Sequence, residues 1–228
     1  MQVEIQYGPA YAIARVTLDG GEQVKADGGA MLAMSTGTEI ETSTQGGLMK
    51  GLRRAVLGGE SFFMNTFTAP GEGGHILFAP KLPGDVMVLP LEGETVFVQS
   101  GAYLAGGGGI EIDSHWGGSK TFFSRQGLFM LKVSGQGQVV LGTFGAIHAV
   151  DLQPGETYTV GTGHLVAWSE NIGYEVHKVG GWKSTLLSGE GLVCKLTGPG
   201  RIYIQTRSEQ TLLGWIESSL PHDQGTNS

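Results

Sequence analysis

The sequence predicts an all-β fold made of three quasi-repeated β units set about a pseudo-threefold axis, with one or two short helices added. Three observations predict it. Glycine supplies 40 of 228 residues, well over twice the usual ~7%, with no three-residue period that would make a collagen-type helix. Short stretches of partly alternating polar and apolar residues are bounded by Pro-Gly pairs, as half-buried strands between tight turns are. One phrase of sequence returns twice at nearly constant spacing, and an internal repeat decides an architecture before any single element does.

The phrase is Leu18-Asp-Gly-Gly-Glu22 followed by Gly29-Ala-Met-Leu-Ala33. It returns as Leu91-Glu-Gly-Glu94 with Gly101-Ala-Tyr-Leu-Ala105, and again as Leu152-Gln-Pro-Gly-Glu156 with Gly163-His-Leu-Val-Ala167. The interval from Glu to Gly is seven residues each time, and the copies are offset by 72 and then 62. A second phrase, Glu60-Ser-Phe-Phe63, Gln126-Gly-Leu-Phe129 and Glu190-Gly-Leu-Val193, leads to the runs Gly74–Phe78, Gly137–Leu141 and Gly200–Ile204. Between them lies a weaker one: Ile40-Glu41, Ile112-Asp113 and Val176-His177, each followed by a glycine pair (46–47, 117–118, 180–181) and a lysine, Lys50, Lys120 and Lys183. The chain therefore divides into one β domain, 1–208, made of repeats at about 1–80, 81–143 and 144–208, and a C-terminal segment, 209–228. Such units bury together faces that none buries alone.

Taken in order, Ala12–Leu18 is expected to be a strand, and Asp85–Leu91 and Ala146–Leu152 hold the same place in the second and third repeats. Pro90 lacks an N–H, which points to a strand end or an edge there. Pro83-Gly84, Pro154-Gly155 and Pro199-Gly200 read as tight turns in which Pro fixes φ and Gly supplies φ > 0. Short, numerous strands of this kind suit a sandwich, a prism or a closed barrel. Leu48–Leu57 carries apolar residues at 48, 49, 52, 56 and 57, a helical stripe that Gly58-Gly59 would end. The segment Glu209–Leu220 places Leu212, Ile216 and Leu220 at i, i+4 and i+8, a short helix before Pro221 and a frayed tail.

Composition narrows the function. The net charge of −7 opposes a nucleic-acid surface. A single cysteine, Cys194, excludes an internal disulfide and a multi-cysteine metal site. No apolar run approaches the ~18 residues that span a membrane, and Met-Gln-Val-Glu-Ile has neither the basic nor the apolar region of a secretory signal. A cytoplasmic protein is the expectation.

The candidate contacts are basic. On a threefold arrangement Lys50, Lys120 and Lys183 ring an axis and hold a phosphate or carboxylate through charge-assisted hydrogen bonds; otherwise they are three solvated lysines after a turn. Lys50, Arg53 and Arg54 form the densest basic cluster and, with Leu48, Leu52 and Leu57, suit anionic lipid or an acidic partner; otherwise they are the wet face of a helix. His75, His148, His164 and His177 show no HxH or HxxxH spacing, so hydrogen-bonded or exposed roles are favoured over zinc. Glu22, Glu94 and Glu156 follow turns and are read as charges facing water, although paired carboxylates do acid–base work elsewhere. Cys194 reads as a small apolar strand residue. The glycine runs 106–109 and 135–137 lack the ending of a phosphate loop, and no G-x-S-x-G elbow occurs.

Five segments carry a resemblance: Gly47-Leu-Met-Lys-Gly-Leu-Arg-Arg54, Gly59-Glu-Ser-Phe-Phe-Met-Asn-Thr-Phe-Thr68, Ala79-Pro-Lys-Leu-Pro-Gly-Asp85, Gly163–Ala167 and Gly198-Pro-Gly-Arg-Ile-Tyr-Ile-Gln-Thr-Arg207. Over roughly Val3 to Ser208 the chain resembles the altered-inheritance-of-mitochondria protein twenty-four family, in its prokaryotic branch. The resemblance implies a fold similar to the tryptophan RNA-binding attenuation protein, a sandwich-like, double-stranded β-helix arrangement repeated about a pseudo-threefold axis. It implies inner-membrane organisation for the fungal mitochondrial members, and no catalytic residue set. The expected function is a non-enzymatic interaction or scaffold protein. It needs no cofactor and no metal, its partner is an unknown protein or membrane surface, and it has an opportunity to form homo-oligomers. The alternative is an anion-binding module or enzyme with its site at the axis.

Overall fold

The computed structural model describes residues 1–44, 63–114, 129–178 and 192–220. Its strands are β1 (Gln2–Gln6), β2 (Ile13–Leu18), β3 (Gln23–Asp27), β4 (Met31–Met34), β5 (Glu39–Thr44), β6 (Phe63–Thr68), β7 (Gly74–Phe78), β8 (Val86–Gln99), β9 (Tyr103–Gly107), β10 (Ile110–Asp113), β11 (Met130–Gly142), β12 (Ile147–Leu152), β13 (Thr157–Gly161), β14 (Leu165–Ser169), β15 (Gly173–Lys178), β16 (Leu192–Thr197) and β17 (Gly200–Gln205). One helix, α1 (Glu209–Ser219), follows them. Among the described residues the protein is all-β apart from that helix and two single 3-10 turns at Ser100–Ala102 and Thr162–His164.

The strands form three antiparallel sheets. One runs β1-β2-β7-β4, a second β12-β17-β14-β8-β11-β9-β3-β6-β5 with β10 added on β11, and a third β13-β16-β15. In the N-terminal part, β7 lies between β2 and β4, and β6 between β3 and β5. In the C-terminal part, β17 lies between β12 and β14, and β16 between β13 and β15. In the middle, the long strands β8 and β11 pair along most of their length, with β9 beside the second half of β11 and β10 beside its first half.

Burial follows the alternation that the sequence shows. Along β2, Ala14, Val16 and Leu18 are buried while Thr17 is exposed. The buried apolar side chains gather in three clusters, the last centred on Trp168, whose ring lies 5.7 Å from Phe97 and 5.4 Å from Tyr174. The expected strands 12–18, 85–91 and 146–152 are β2, the first half of β8 and β12. β8 does not stop at Pro90 but runs through it; this half of the strand has β11 alone as its hydrogen-bonded neighbour, so the missing N–H falls at an edge. Gly155 and Gly200 have the positive φ expected of them, 78° and 149°. Gly84 does not: it is there because its backbone bridges Gly145 and passes so close to the Thr143 carbonyl that a Cβ has no room. The expected helix 48–57 lies outside the described residues.

Candidate functional site

The basic candidates Lys50, Arg53, Arg54, Lys120 and Lys183 all lie outside the described residues, as do the three glycine pairs beside them. In the chain they follow the strands β5, β10 and β15, which end at Thr44, Asp113 and Lys178.

The recurrent glutamates take a defined structural role that the sequence reading left as solvation. Glu22 Oε2 accepts from the Asp19 N–H at 3.0 Å, Glu94 Oε2 from the Glu92 N–H at 2.5 Å, and Glu156 Oε2 from the Gln153 N–H at 2.8 Å. Each carboxylate closes the turn that precedes it, and each turn contains a glycine at positive φ: Gly21, Gly93 and Gly155. A charged acceptor on an N–H that the turn leaves free accounts for their recurrence without acid–base chemistry.

Of the candidate histidines, His148 lies exposed on β12, and the other three are hydrogen-bonded at separate places. His164 Nδ1 lies 2.8 Å from the Gln205 carbonyl oxygen. His177 Nε2 lies 3.2 Å from Glu175 on the surface of β15. His75 Nδ1 lies 2.9 Å from Ser35 Oγ, a spacing that invites comparison with a nucleophile and its base. That hydroxyl also accepts from the His75 backbone N–H at 2.9 Å and reaches its carbonyl, so the pair ties the end of β4 to β7. Among the described residues no three His, Cys, Asp or Glu side chains gather as a metal site. Cys194 is fully buried between β13 and β15, and burial pushes its thiol up to about 12, which leaves almost no thiolate at neutral pH.

Two hollows were considered. A cleft of about 160 Å³ lies where Lys81, Gln99, Thr143, Gln205 and Glu209 meet. Two of its polar side chains are engaged with backbone: Gln205 accepts from the Phe144 N–H at 2.9 Å and donates to the Gly163 carbonyl at 3.0 Å, and Thr143 donates to the Gly145 carbonyl at 2.8 Å. At its rim Lys81 lies 3.3 Å from Asp27. Burial raises the Asp27 pKa, and the Lys81 charge only partly offsets that. The cleft is well below the ~300 Å³ at which small-molecule pockets begin. A wider groove of about 420 Å³ opens between the loops around Asp19 and Gly73 at the far end of the β2–β7 pair.

The exposed apolar surface is the more distinctive feature. The helix α1 begins well: Ser208 Oγ accepts from the Thr211 N–H at 3.2 Å, as an N-cap does. None of its residues is buried, and Leu213, Trp215 and Ile216 are 55%, 66% and 38% exposed, followed by Leu220 at 58%. The sequence marked the stripe Leu212, Ile216 and Leu220 but left open what it packs on; in the structure Leu212 is half-buried, while Ile216 and Leu220 are exposed. A second exposed apolar group, Met31, Leu32 and Met34, lies on β4. Sequence reasoning used these residues only as part of a repeated phrase and did not single them out as surface.

The comparisons with known proteins agree with one another. The family model described as mitochondrial biogenesis AIM24 matches residues 3–207. An uncharacterised protein of Streptococcus pyogenes serotype M6 is 28% identical over 229 aligned positions, covering 97% of this chain and 92% of its own. A crystal structure of a Streptococcus pyogenes protein superposes with a TM-score of 0.81 at 27% identity, covering 96% of this chain and 99% of that one.

Proposed function

This chain belongs to the mitochondrial biogenesis AIM24 family, and from that premise we propose that it is a non-enzymatic scaffold whose work is contact with another protein. The observation that carries the reading is α1. An isolated helix of 11 residues falls short of the ~12–15 that hold together in water on their own. This one also leaves Trp215, Leu213 and Ile216 in solvent. Clustered apolar exposure of this kind marks an interaction site. The helix carries Glu209 and Glu217 and no cation, so an anionic membrane surface is a poor match. An apolar groove on a protein, receiving the helix by its Trp215–Ile216 side, is a good one.

On this reading the body that displays the helix is three copies of one unit. The strand order supports that: β2-β7-β4 with β3-β6-β5 in the first copy is matched by β12-β17-β14 with β13-β16-β15 in the third. In the second copy each half of β8 and β11 plays the part of a separate strand. Each unit is then a small sandwich of the kind implied by the similarity to the tryptophan RNA-binding attenuation protein. Affinity capture from a relative's lysate tests the proposal, using the wild-type chain beside a Trp215→Ser/Ile216→Ser variant. A partner held by the wild type and lost by the variant is expected; identical captures from both, or background alone, sink it.

A further inference from the structure

The units are joined to one another by a strand pairing that occurs twice. β3 pairs with β9 through Val24↔Gly107, Lys25↔Gly106 and Ala26↔Ala105. β8 pairs with β14 through Val96↔Ser169, Phe97↔Trp168 and Val98↔Ala167. Shifting the first register by 72 residues on β3 and by 62 on β9 yields the second without a slip. Shifting once more places the third junction on Tyr158, Thr159 and Val160 of β13 and on Ser35, Met34 and Ala33 of β4. Those two strands do not meet: β4 ends its sheet beside β7, and β13 ends its sheet beside β16.

The side chains record the same vacancy. β9 is buried at every position, and β14 at all but its last, whereas all four residues of β4 are exposed. Each of the three strands carries a bulge against its inner neighbour, at Leu32, Leu104 and Val166. Leu104 is 3% exposed and packs in the cluster that holds Val24 and Ala26 of the preceding unit, and Val166 is 0% exposed, in the cluster of Val96 and Val98. Leu32 is 59% exposed. On the other edge Tyr158 is 39% exposed, where its counterparts Val24 and Val96 are 0% and 6%. Neither edge has the usual protection of an exposed strand, since Met31-Leu-Ala-Met34 and Thr157-Tyr-Thr-Val-Gly161 contain no charge and no proline.

Resting on the three-unit reading, we propose that β13 of one copy adds antiparallel to β4 of a second copy, in the register Tyr158↔Ser35, Thr159↔Met34 and Val160↔Ala33. The occupant is a second copy because each edge is the counterpart of a strand that already joins unit to unit, and this chain presents both. Leu32 then enters the core beneath Val160 and Leu196 of its neighbour, as Leu104 enters the one beneath Val24. The edges are unlike each other, so the contact is head to tail, and the assembly uses every edge only by closing on itself. Two copies, about 48 kDa from a chain of 24.0 kDa, are the smallest such closure.

The test is the mass of the full chain in solution by light scattering, with two sets of variants. The wild type is expected at two or more copies. Leu32→Lys and Tyr158→Lys, each at an exposed position, are expected to be monomers with unchanged β-sheet circular dichroism. Paired antiparallel residues sit at Cα separations a disulfide accepts, so Met34→Cys/Thr159→Cys should oxidise to bands of two or more chains on a non-reducing gel. The off-register pair Met34→Cys/Thr157→Cys should not. A monomeric wild type, lysine variants that keep their oligomer, or an in-register pair that closes within one chain would each overturn the proposal. Val24→Cys/Gly107→Cys, which lies across the first internal junction, keeps the two readings apart. Its closure within a single chain upholds the unit junction whatever the assembly does, and its failure counts against the three-unit reading itself.

Discussion

Leu104→Ala measures how firmly β9 is packed against β3, its neighbour in the sheet. Leu104 is 3% exposed and belongs to the cluster with Val24, Ala26, Phe67, Val86 and Val140. Truncation to alanine removes three carbons, which at about 0.8 kcal/mol each is about 2.4 kcal/mol of lost transfer energy. A cavity term adds to this. Leu104 lies over Gly142 and beside Pro80, a bare backbone segment and a rigid ring, neither of which can fold inward to refill the space. The cost therefore belongs in the upper part of the usual range, about 3–5 kcal/mol. For a chain of this size that lowers Tm by about 6–20 °C. Urea unfolding followed by tryptophan fluorescence reads the change directly, because Trp168 is fully buried in the native state. Leu213→Ala is the matched control: the same atoms are removed from a residue 55% exposed on α1, and the change should stay within about 0.5 kcal/mol. A Leu104→Ala variant less than about 1 kcal/mol weaker than wild type, or no weaker than the control, refutes the claim that this side chain is core shared with Val24 and Ala26 of β3.

Two further outcomes follow from buried ionisable groups. Cys194 is the single thiol of the chain; with its pKa pushed up to about 12 by burial, it should react with a thiol reagent at pH 8 only as fast as the protein unfolds, and at once in denaturant. Rapid labelling of the folded protein would contradict its placement. Asp27 has its pKa raised above 3.8 by burial, more than the Lys81 charge lowers it, so the folded state holds the proton more tightly than the unfolded one. Its contribution to stability is full below pH 3.8 and is lost as pH rises through the higher folded value. The Tm of Asp27→Asn minus that of wild type should therefore grow between pH 3.5 and 7; a difference that shrinks over that interval would show the ion pair with Lys81 to dominate instead.

Much of this architecture is written locally. The spacing of Glu22, Glu94 and Glu156 fixes three turns because the chemistry is short-range: a glycine at positive φ, a freed N–H, and a carboxylate two or three residues on that accepts it. The alternation in Ile13–Leu18 and the stripe on α1 are legible for the same reason, since each follows from the period of its own backbone. What the sequence does not carry is which repeats touch. Leu32, Leu104 and Val166 hold the same place in the same phrase, and all three are apolar residues. Yet two are buried and one stands 59% exposed, because burial there is conferred by a further strand alongside, β3 for β9 and β8 for β14, and not by the residue's own. A repeated phrase fixes a strand's own geometry but not which strand lies beside it, so the sheet-edge strands β4 and β13 look in the sequence like strands with neighbours on both sides. The candidate lysines illustrate the same limit from the other side. Lys50, Lys120 and Lys183 also recur in the sequence, though at less regular spacing within their phrase than the turn glutamates. Recurrence alone does not separate a ligand from a solvated turn, whereas for the glutamates a hydrogen bond to a specific N–H does. Function in such a chain is therefore to be sought where the repeat is broken — at the open edges of β4 and β13 and at the helix appended after the last copy — rather than where it is most regular.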